Sequence, residues 1–302
     1  MVHSRASQIK QLEPGLNAIF GMEYKDYENE HVVLFDGETS NRAFEEEVLF
    51  PGFEGAVVKP EGGPVQYAST EEGWVARYNH ETIALAFAIT EEAMEDNLYE
   101  KLSTRLTKAL ARAMAHTKQV KAAAVYNNAF NSSFAGGDGV ELCDSAHPLQ
   151  NGNTLSNILA PAADLSEASL EAMLIAISEL TDDRDVPKAL MARSLHIPPE
   201  LIFVAERLLA TPYRPATADN DVNATYNLGM FPQGYHVNHR FTDPDAFFIR
   251  TDCPNSMKHF TRVAISNKFE GDFETGNVRY KARERYVFGW SDWRGVYGSP
   301  GA

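Results

Sequence analysis

At 302 residues, 44% hydrophobic and 23% charged, the chain has the make-up of a globular protein, long enough for one large core or two smaller ones sharing a boundary. Its formal net charge of −15, from 27 Lys+Arg against 42 Asp+Glu, disfavours general nucleic-acid binding, which rests on cations displacing the counterions of phosphates, without excluding a protein that lives beside DNA. No apolar run nears the ~18–20 residues of a membrane span, the opening "MVHSRASQIK" lacks the apolar segment of a secretory signal, and two cysteines, Cys143 and Cys253, are too few for a disulfide framework and are expected as reduced thiols made in a cytoplasm.

Residues 1–47 read as an irregular arm with scattered aromatics (Phe20, Tyr24, Tyr27, Phe35, Phe44) and an acidic end, Glu45-Glu46-Glu47. Residues 48–90 read as a long hairpin. Glycines and prolines punctuate its first half, and in its second half Ile83, Leu85, Phe87 and Ile89 alternate with alanines, the period of a strand. An isolated two-stranded hairpin is marginally stable, and this one has too few apolar side chains near its tip to make a core. Either it folds back on its own domain or it lies on another molecule.

The spacing over 91–131 predicts a helix capped by Thr90, with Glu91 and Glu92 in the first turn. Apolar residues recur at Met94, Leu98, Leu102, Leu106, Leu110 and Met114. A step of four turns ~400°, so this stripe winds around the helix instead of forming a coiled-coil seam. One rod would be on the order of 60 Å long; the alternative is two helices broken near His116-Thr117. A second helix is expected over 165–180, capped by Asp164 or Ser166, with Leu170, Met173, Leu174 and Ile177 on one face. "ALMARSLHI" reads as a buried strand, and a third helix follows with Pro199 in its first turn. Residues 211–246, rich in Asn, Asp, Pro and Gly, hold short strands. "AFFIRTD", "KHFTRVAIS" and "VRYKARERYVFGW" are strands, and "EGDFETGN" a turn. The last strand places Arg279, Lys281, Arg283 and Arg285 on one face. The result is an α+β protein without a βαβ rhythm, a Rossmann fingerprint or a phosphate loop.

The stretch "NNAFNSSFAGGDGVELCDSAHPLQNG" at 127–152 has the residues of an active site. Cys143 and His147 offer a nucleophile and a base, but four residues apart in extended chain they share a side without meeting, and Pro148 biases the backbone to an extended form. As metal ligands they lack partners, and His236 and His239 have no cysteine nearby. "GGDG" at 136–139 lacks the alternating acids of a calcium loop and reads as a tight turn. The four-cation face of the last strand binds nucleic acid, is solvated, or pairs with acidic segments such as Glu45–Glu47 or Glu71-Glu72. No catalytic, cofactor or metal site is expected.

Taken in order, "AFEEEVLFPGF", "VKPEGGPVQYASTEEGWVARY", "AMAHTKQVKAAAVYNNAFN", "GGDGVELCDSAHPL", "LSEASLEAMLIAI" and "GWSDWRGVYGS" resemble the major capsid (major head) proteins of tailed bacteriophages, closest to the Mu-like major head subunit group. The resemblance implies a Hong Kong 97-type capsid fold. In it 1–47 is the N-terminal arm, 48–90 the extended β-hairpin loop lying on a neighbouring subunit, 91–154 the first part of the peripheral domain with the long spine helix, 155–250 the axial domain, and 251–302 the returning peripheral strands. The implied function is self-assembly, without turnover, into the hexamers and pentamers of an icosahedral head enclosing a double-stranded DNA genome. Such heads form as rounded precursors in the host bacterial cytoplasm, expand as DNA enters, and end in the virion.

The implied partners are copies of the chain, a portal protein, a decoration or cement protein, and DNA as weakly contacted content; no membrane is involved. The arm begins within the first twenty residues, so scaffolding is expected from a separate protein. Intersubunit contacts are expected at Glu45, Glu46, Glu47, Lys59, Glu71, Glu72, Trp74, Arg77, Arg279, Lys281, Arg283 and Arg285. Lys59 lies near the loop tip, where some members join a lysine to a neighbour's asparagine, but nothing marks it as reactive. Two competing readings are an encapsulin-like cellular shell and a Cys/His hydrolase.

Overall fold

The computed structural model describes residues 5–68, 72–90, 92, 99–213, 221–271 and 276–302, without the side chains of 5–13 and 99–102. The expected irregular arm is replaced at its start by a helix, α1 (Arg5–Asp26), despite Pro14 within it. Leu16, Phe20 and Tyr24 are four apart and so share a face. Leu16 and Phe20 are buried against Leu110, Ala111, Met114 and Tyr280. Tyr280 donates to Asn17 Oδ1 at 2.8 Å and Tyr24 to Glu284 Oε1 at 2.9 Å. Tertiary packing outweighs the low helix propensity of a segment containing Pro14, Gly15 and Gly21. A short helix, α2 (His31–Leu34), and a strand, β1 (Asp36–Thr39), follow.

The partner of α1 is α3 (Tyr99–Asn127), which runs unbroken through His116-Thr117, for about 43 Å at ~1.5 Å per residue. The expected cap at Thr90 and the stripe residues Met94 and Leu98 fall at or beyond the edge of the described residues, as does the turn over 272–275. Leu110 and Met114 are buried as the stripe predicts. Further along, the buried face is made of Gln119, Ala122, Ala123 and Tyr126, small or polar side chains that a search for large apolar residues passes over.

Both helices lie on one face of a long sheet ordered β1-β10-β11-β4, formed with β4 (Glu81–Ile89), β10 (Met257–Gly271) and β11 (Val278–Trp290). β1 runs parallel to β10 and the other neighbours are antiparallel. The long hairpin expected over 48–90 is not what forms. β4 pairs with β11, while β2 (Phe44–Val48) pairs with β3 (Val75–Asn79), so residues 49–74 are an excursion between two stem strands. His80 is the joint at which the chain changes partner. Ala76 and Tyr78 of β3 are buried with Phe260, which fixes the stem to the body.

A second sheet, ordered β12-β9-β7-β8, uses β7 (Ala192–Ile197), β8 (Tyr235–Val237), β9 (Phe247–Thr251) and β12 (Val296–Ser299). Its core includes α4 (Glu167–Glu179), with Leu170, Met173 and Ile177 buried against Leu195, Phe247 and Ile249. Ser166 caps α4 in a reciprocal box with Ser169, satisfying amide donors that helices leave open. β5 (His147–Pro148) and β6 (Thr154–Leu155) form a small ribbon nearby. The sequence reading places all of 251–302 with the peripheral strands. β12, however, pairs with β9, because Trp293 and Tyr297 are core residues of the second sheet.

At the turn before β12, Arg294 is fully buried. Its guanidinium reaches Asp183 Oδ1 and Asp292 Oδ1 at 3.3 Å each and donates to Thr181 O at 2.9 Å, while Lys188 Nζ lies 3.0 Å from Asp292 Oδ2. Where α2 meets the long sheet, the His31 and His259 rings stand 5.3 Å apart, and His259 stacks on Phe288 at 4.3 Å. Burial first, and the Lys118 cation second, hold His31 down to about 4 and His259 to about 3. Both rings therefore stay neutral in the folded chain well below the unfolded value near 6.5. The unfolded chain binds more protons between these limits, so stability is full above pH 6.5 and falls as pH drops from there toward 4 and 3. The expected loss is on the order of 3 kcal/mol for each ring, read as a falling urea midpoint. His259→Phe, which keeps the stack without a titratable ring, should flatten that fall.

Candidate assembly surfaces

The root of the excursion is tied to its own body. Pro51 is buried, Leu49 and Gly73 exchange backbone bonds with Trp74 O and Leu49 O at 3.0 and 2.8 Å, and Gln150 Nε2 donates to Glu72 O at 3.1 Å. Arg184 Nη1 lies 3.3 Å from Glu54 Oε1. Beyond this root the chain stands free. From 55 to 68 every residue is exposed except Gly63. Gly63 N donates to Pro60 O at 3.0 Å, closing a turn whose Gly62 has φ +73°, a left-handed conformation that glycine accepts without strain.

Along this excursion Phe50, Phe53, Val57, Val58, Val65 and Tyr67 are all exposed, Val58 by 93% and Tyr67 by 94%. Fully burying one such side chain is worth about 1.5–3 kcal/mol, and most of that is not realised within the chain. The sequence reading judged these residues too few for a core without marking them as contacts. The signal was present as apolar residues in a Gly/Pro-punctuated stretch with no helical or strand period.

The second surface is the outer face of the long sheet. Arg279, Lys281 and Arg283 are exposed and Arg285 half-buried, alternating with buried Val278, Tyr280, Ala282 and Glu284, so the expected four-cation face exists. Lys281 sits between Ala86 on β4 and Lys268 on β10, and Arg283 between Ala84 and Ser266. Arg279 lies opposite Ala88 and Glu270. The alanines of β4 leave a low shelf beside the cations.

The acidic residues expected to meet that face divide. Glu45 accepts from Ser40 Oγ at 2.6 Å, and Glu47 accepts from Ser291 and lies 3.5 Å from Lys258 Nζ, so both are engaged within the chain. Glu46 is exposed beside Arg77 at 3.7 Å, and Arg77 lies over the Phe44 ring. Lys59 and Glu72 are exposed on the excursion, while Glu71 lies outside the described residues. Trp74 donates to Ser291 O at 3.2 Å and packs against the second sheet's core. The indole is thus engaged within its own subunit and only partly exposed.

The Cys143–His147 pair is not assembled. His147 is buried with Nδ1 2.7 Å from Asp138 Oδ2 and Nε2 2.9 Å from Asn157 Oδ1, its ring stacked on Trp293 at 4.1 Å. Cys143 is buried among Phe130, Phe248 and Val296. Burial first, then the charge of Glu141, pushes its thiol well above the ordinary range. A thiol that cannot ionise is a poor nucleophile.

A family model described as phage capsid protein matches residues 74–299. Among solved structures, the chain is similar to a virus-like particle from Pyrococcus furiosus (11% identity, TM-score 0.54, covering 95% of this chain and 98% of that one). It is also similar to the capsid of an empty GTA particle (13%, 0.55, 89% of each chain) and to the procapsid of bacteriophage JBD30 (13%, 0.51, 97% of this chain and 75% of that one). A search of curated proteins finds no match. At these identities the structural likenesses establish the fold.

Proposed function

The chain belongs to the phage capsid protein family, with a capsid fold of the Hong Kong 97 type, and from that premise we propose that it is the major capsid protein of a tailed-phage head, self-assembling into hexamers and pentamers around double-stranded DNA. The observation that carries this reading is the excursion at 49–74, which leaves six large apolar side chains exposed. A closed shell needs many contacts that are individually weak, so that misplaced subunits leave before growth traps them. Extended segments supply such area, and only the surplus over ordering costs appears as affinity. In this reading 1–47 is the arm, the excursion lies across the next subunit, the sheet carrying α4 forms the axial domain, and the long sheet with α3 forms the peripheral domain.

The basic face of β11 is the proposed receiver of acidic segments from a neighbour, such as Glu46 or Glu72. Exposed charge pairs steer association and are screened by salt. The double reversal Lys281→Glu/Arg283→Glu should slow assembly at least several-fold at low ionic strength, by light scattering, and the difference should shrink as salt rises. A portal, a separate scaffolding protein and a cement protein complete the proposed partners, with the virion as destination and DNA as content that the acidic chain holds only weakly.

Negative-stain microscopy of the purified chain tests the proposal. Uniform particles, or sheets and tubes of hexamers, are the expected result, and a small monodisperse species at high concentration overturns it. An encapsulin-like compartment is the second reading, supported by the likeness to a virus-like particle over 95% of the chain. Nuclease-protected DNA in particles from a natural source favours the head, and a co-purified enzyme favours the compartment.

A further inference from the structure

We propose that Glu28, Glu30 and His239 bind one divalent cation of the zinc class, bracing the segment after α1 against the chain that leaves β8. Their ligand atoms all lie within 4.8 Å of one another, and they line a cavity of about 260 Å³ between those two segments. Carboxylate oxygens and imidazole nitrogens are both zinc ligands, and a site with three protein ligands leaves the fourth position to water.

A second observation points to a ligand. Glu30 is only 7% exposed, and its Oε2 has no hydrogen-bond partner, although burying a carboxylate oxygen without one is costly. Its other oxygen accepts from Arg240 and lies 2.8 Å from His239 Nδ1. Arg240 itself is held by Tyr27 Oη at 2.7 Å. One oxygen is thus fixed by a hydrogen-bonding cation while the other is open, the arrangement that orients ligating carboxylates in metal sites. The same cavity is lined by His196, 1% exposed with Nδ1 unpartnered, and by His236, whose Nε2 is also unpartnered. A cavity lined by so many lone-pair donors is matched to a cation. Glu28 and His239 are exposed at its mouth, which gives an ion a way in.

The test is calorimetric titration of the folded chain with zinc chloride alone in a non-chelating buffer, with thermal melts alongside. One saturable site per chain and a raised melting temperature are expected. Affinity should fall at least tenfold in both Glu28→Gln and His239→Ala, exposed positions at which folding is not at risk. No saturable site, or equal affinity in both variants and the parent, would overturn the assignment; the latter would place the ion elsewhere. The site lies within one subunit, so its failure is distinguishable from failure to form shells, which microscopy scores separately.

Discussion

Excising residues 56–68 and closing the gap with a short glycine linker is expected to abolish shell formation completely while leaving the subunit folded. The segment is exposed throughout apart from Gly63, and its removal takes no side chain from any buried cluster. Changes at such surfaces usually stay within about 0.5 kcal/mol, so the urea midpoint should hardly move. Assembly would lose Val57, Val58, Val65 and Tyr67 together, and a shell formed only through repeated contacts cannot absorb the same loss at every one. Microscopy and sedimentation provide the readout. Intact shells from the excised chain would remove the excursion from the assembly contacts, and an unfolded chain would mean that the segment belongs to its own core. A longer cut, through residue 80, would not separate these outcomes, because it takes Ala76 and Tyr78 out of a buried cluster.

The largest loss of stability is expected from Arg294→Ala. The guanidinium is fully buried between Asp183, 2% exposed, and Asp292, also 2% exposed. Removing it leaves two carboxylates in the interior with only Lys188 still 3.0 Å from one of them. Breaking a buried charge cluster by deleting one partner costs about 3–5 kcal/mol, because the charges left behind remain desolvated. The carbonyl of Thr181 would also lose its donor. Urea unfolding of Arg294→Ala should show that loss, with Lys188→Ala, whose side chain is 28% exposed, costing clearly less. An Arg294→Ala chain of near-parental stability would mean that the cluster is relieved by water.

What was legible in the sequence followed from local periodicity. The alternation in β4, the cations of β11 and the face of α4 depend on neighbours within a few residues and stand as read, and of the two cap candidates, Asp164 and Ser166, the structure has Ser166. α1 was missed because its helix is set by contact with α3 almost a hundred residues away, while Pro14 and two glycines argue locally against it. The stem of the excursion was misread for a similar reason. β3 and β4 are separated only by His80, so they look like one strand, and only pairing shows that they serve different partners. The intrachain partners of Trp74, the second sheet's core and Ser291 more than two hundred residues away, likewise lie beyond the reach of local pattern. In the 127–152 stretch, the partners of His147 are Asp138 and Asn157, nine and ten residues away, which spacing along the chain does not single out. Glu28, Glu30 and His239 could not be grouped from a linear chain, because about 210 residues lie between the acids and the imidazole.

The polypeptide passes from the long sheet to the second sheet between β4 and β7, returns between β9 and β10, and passes over again between β11 and β12. Three covalent strands therefore stitch the two bodies, with Arg294 clamped at the last of them. A seam sewn three times resists both opening and twisting. If the particle changes size, its subunits should move as stiff tiles, and the bending should fall to pieces attached on one side only, the protruding finger and the leading helix.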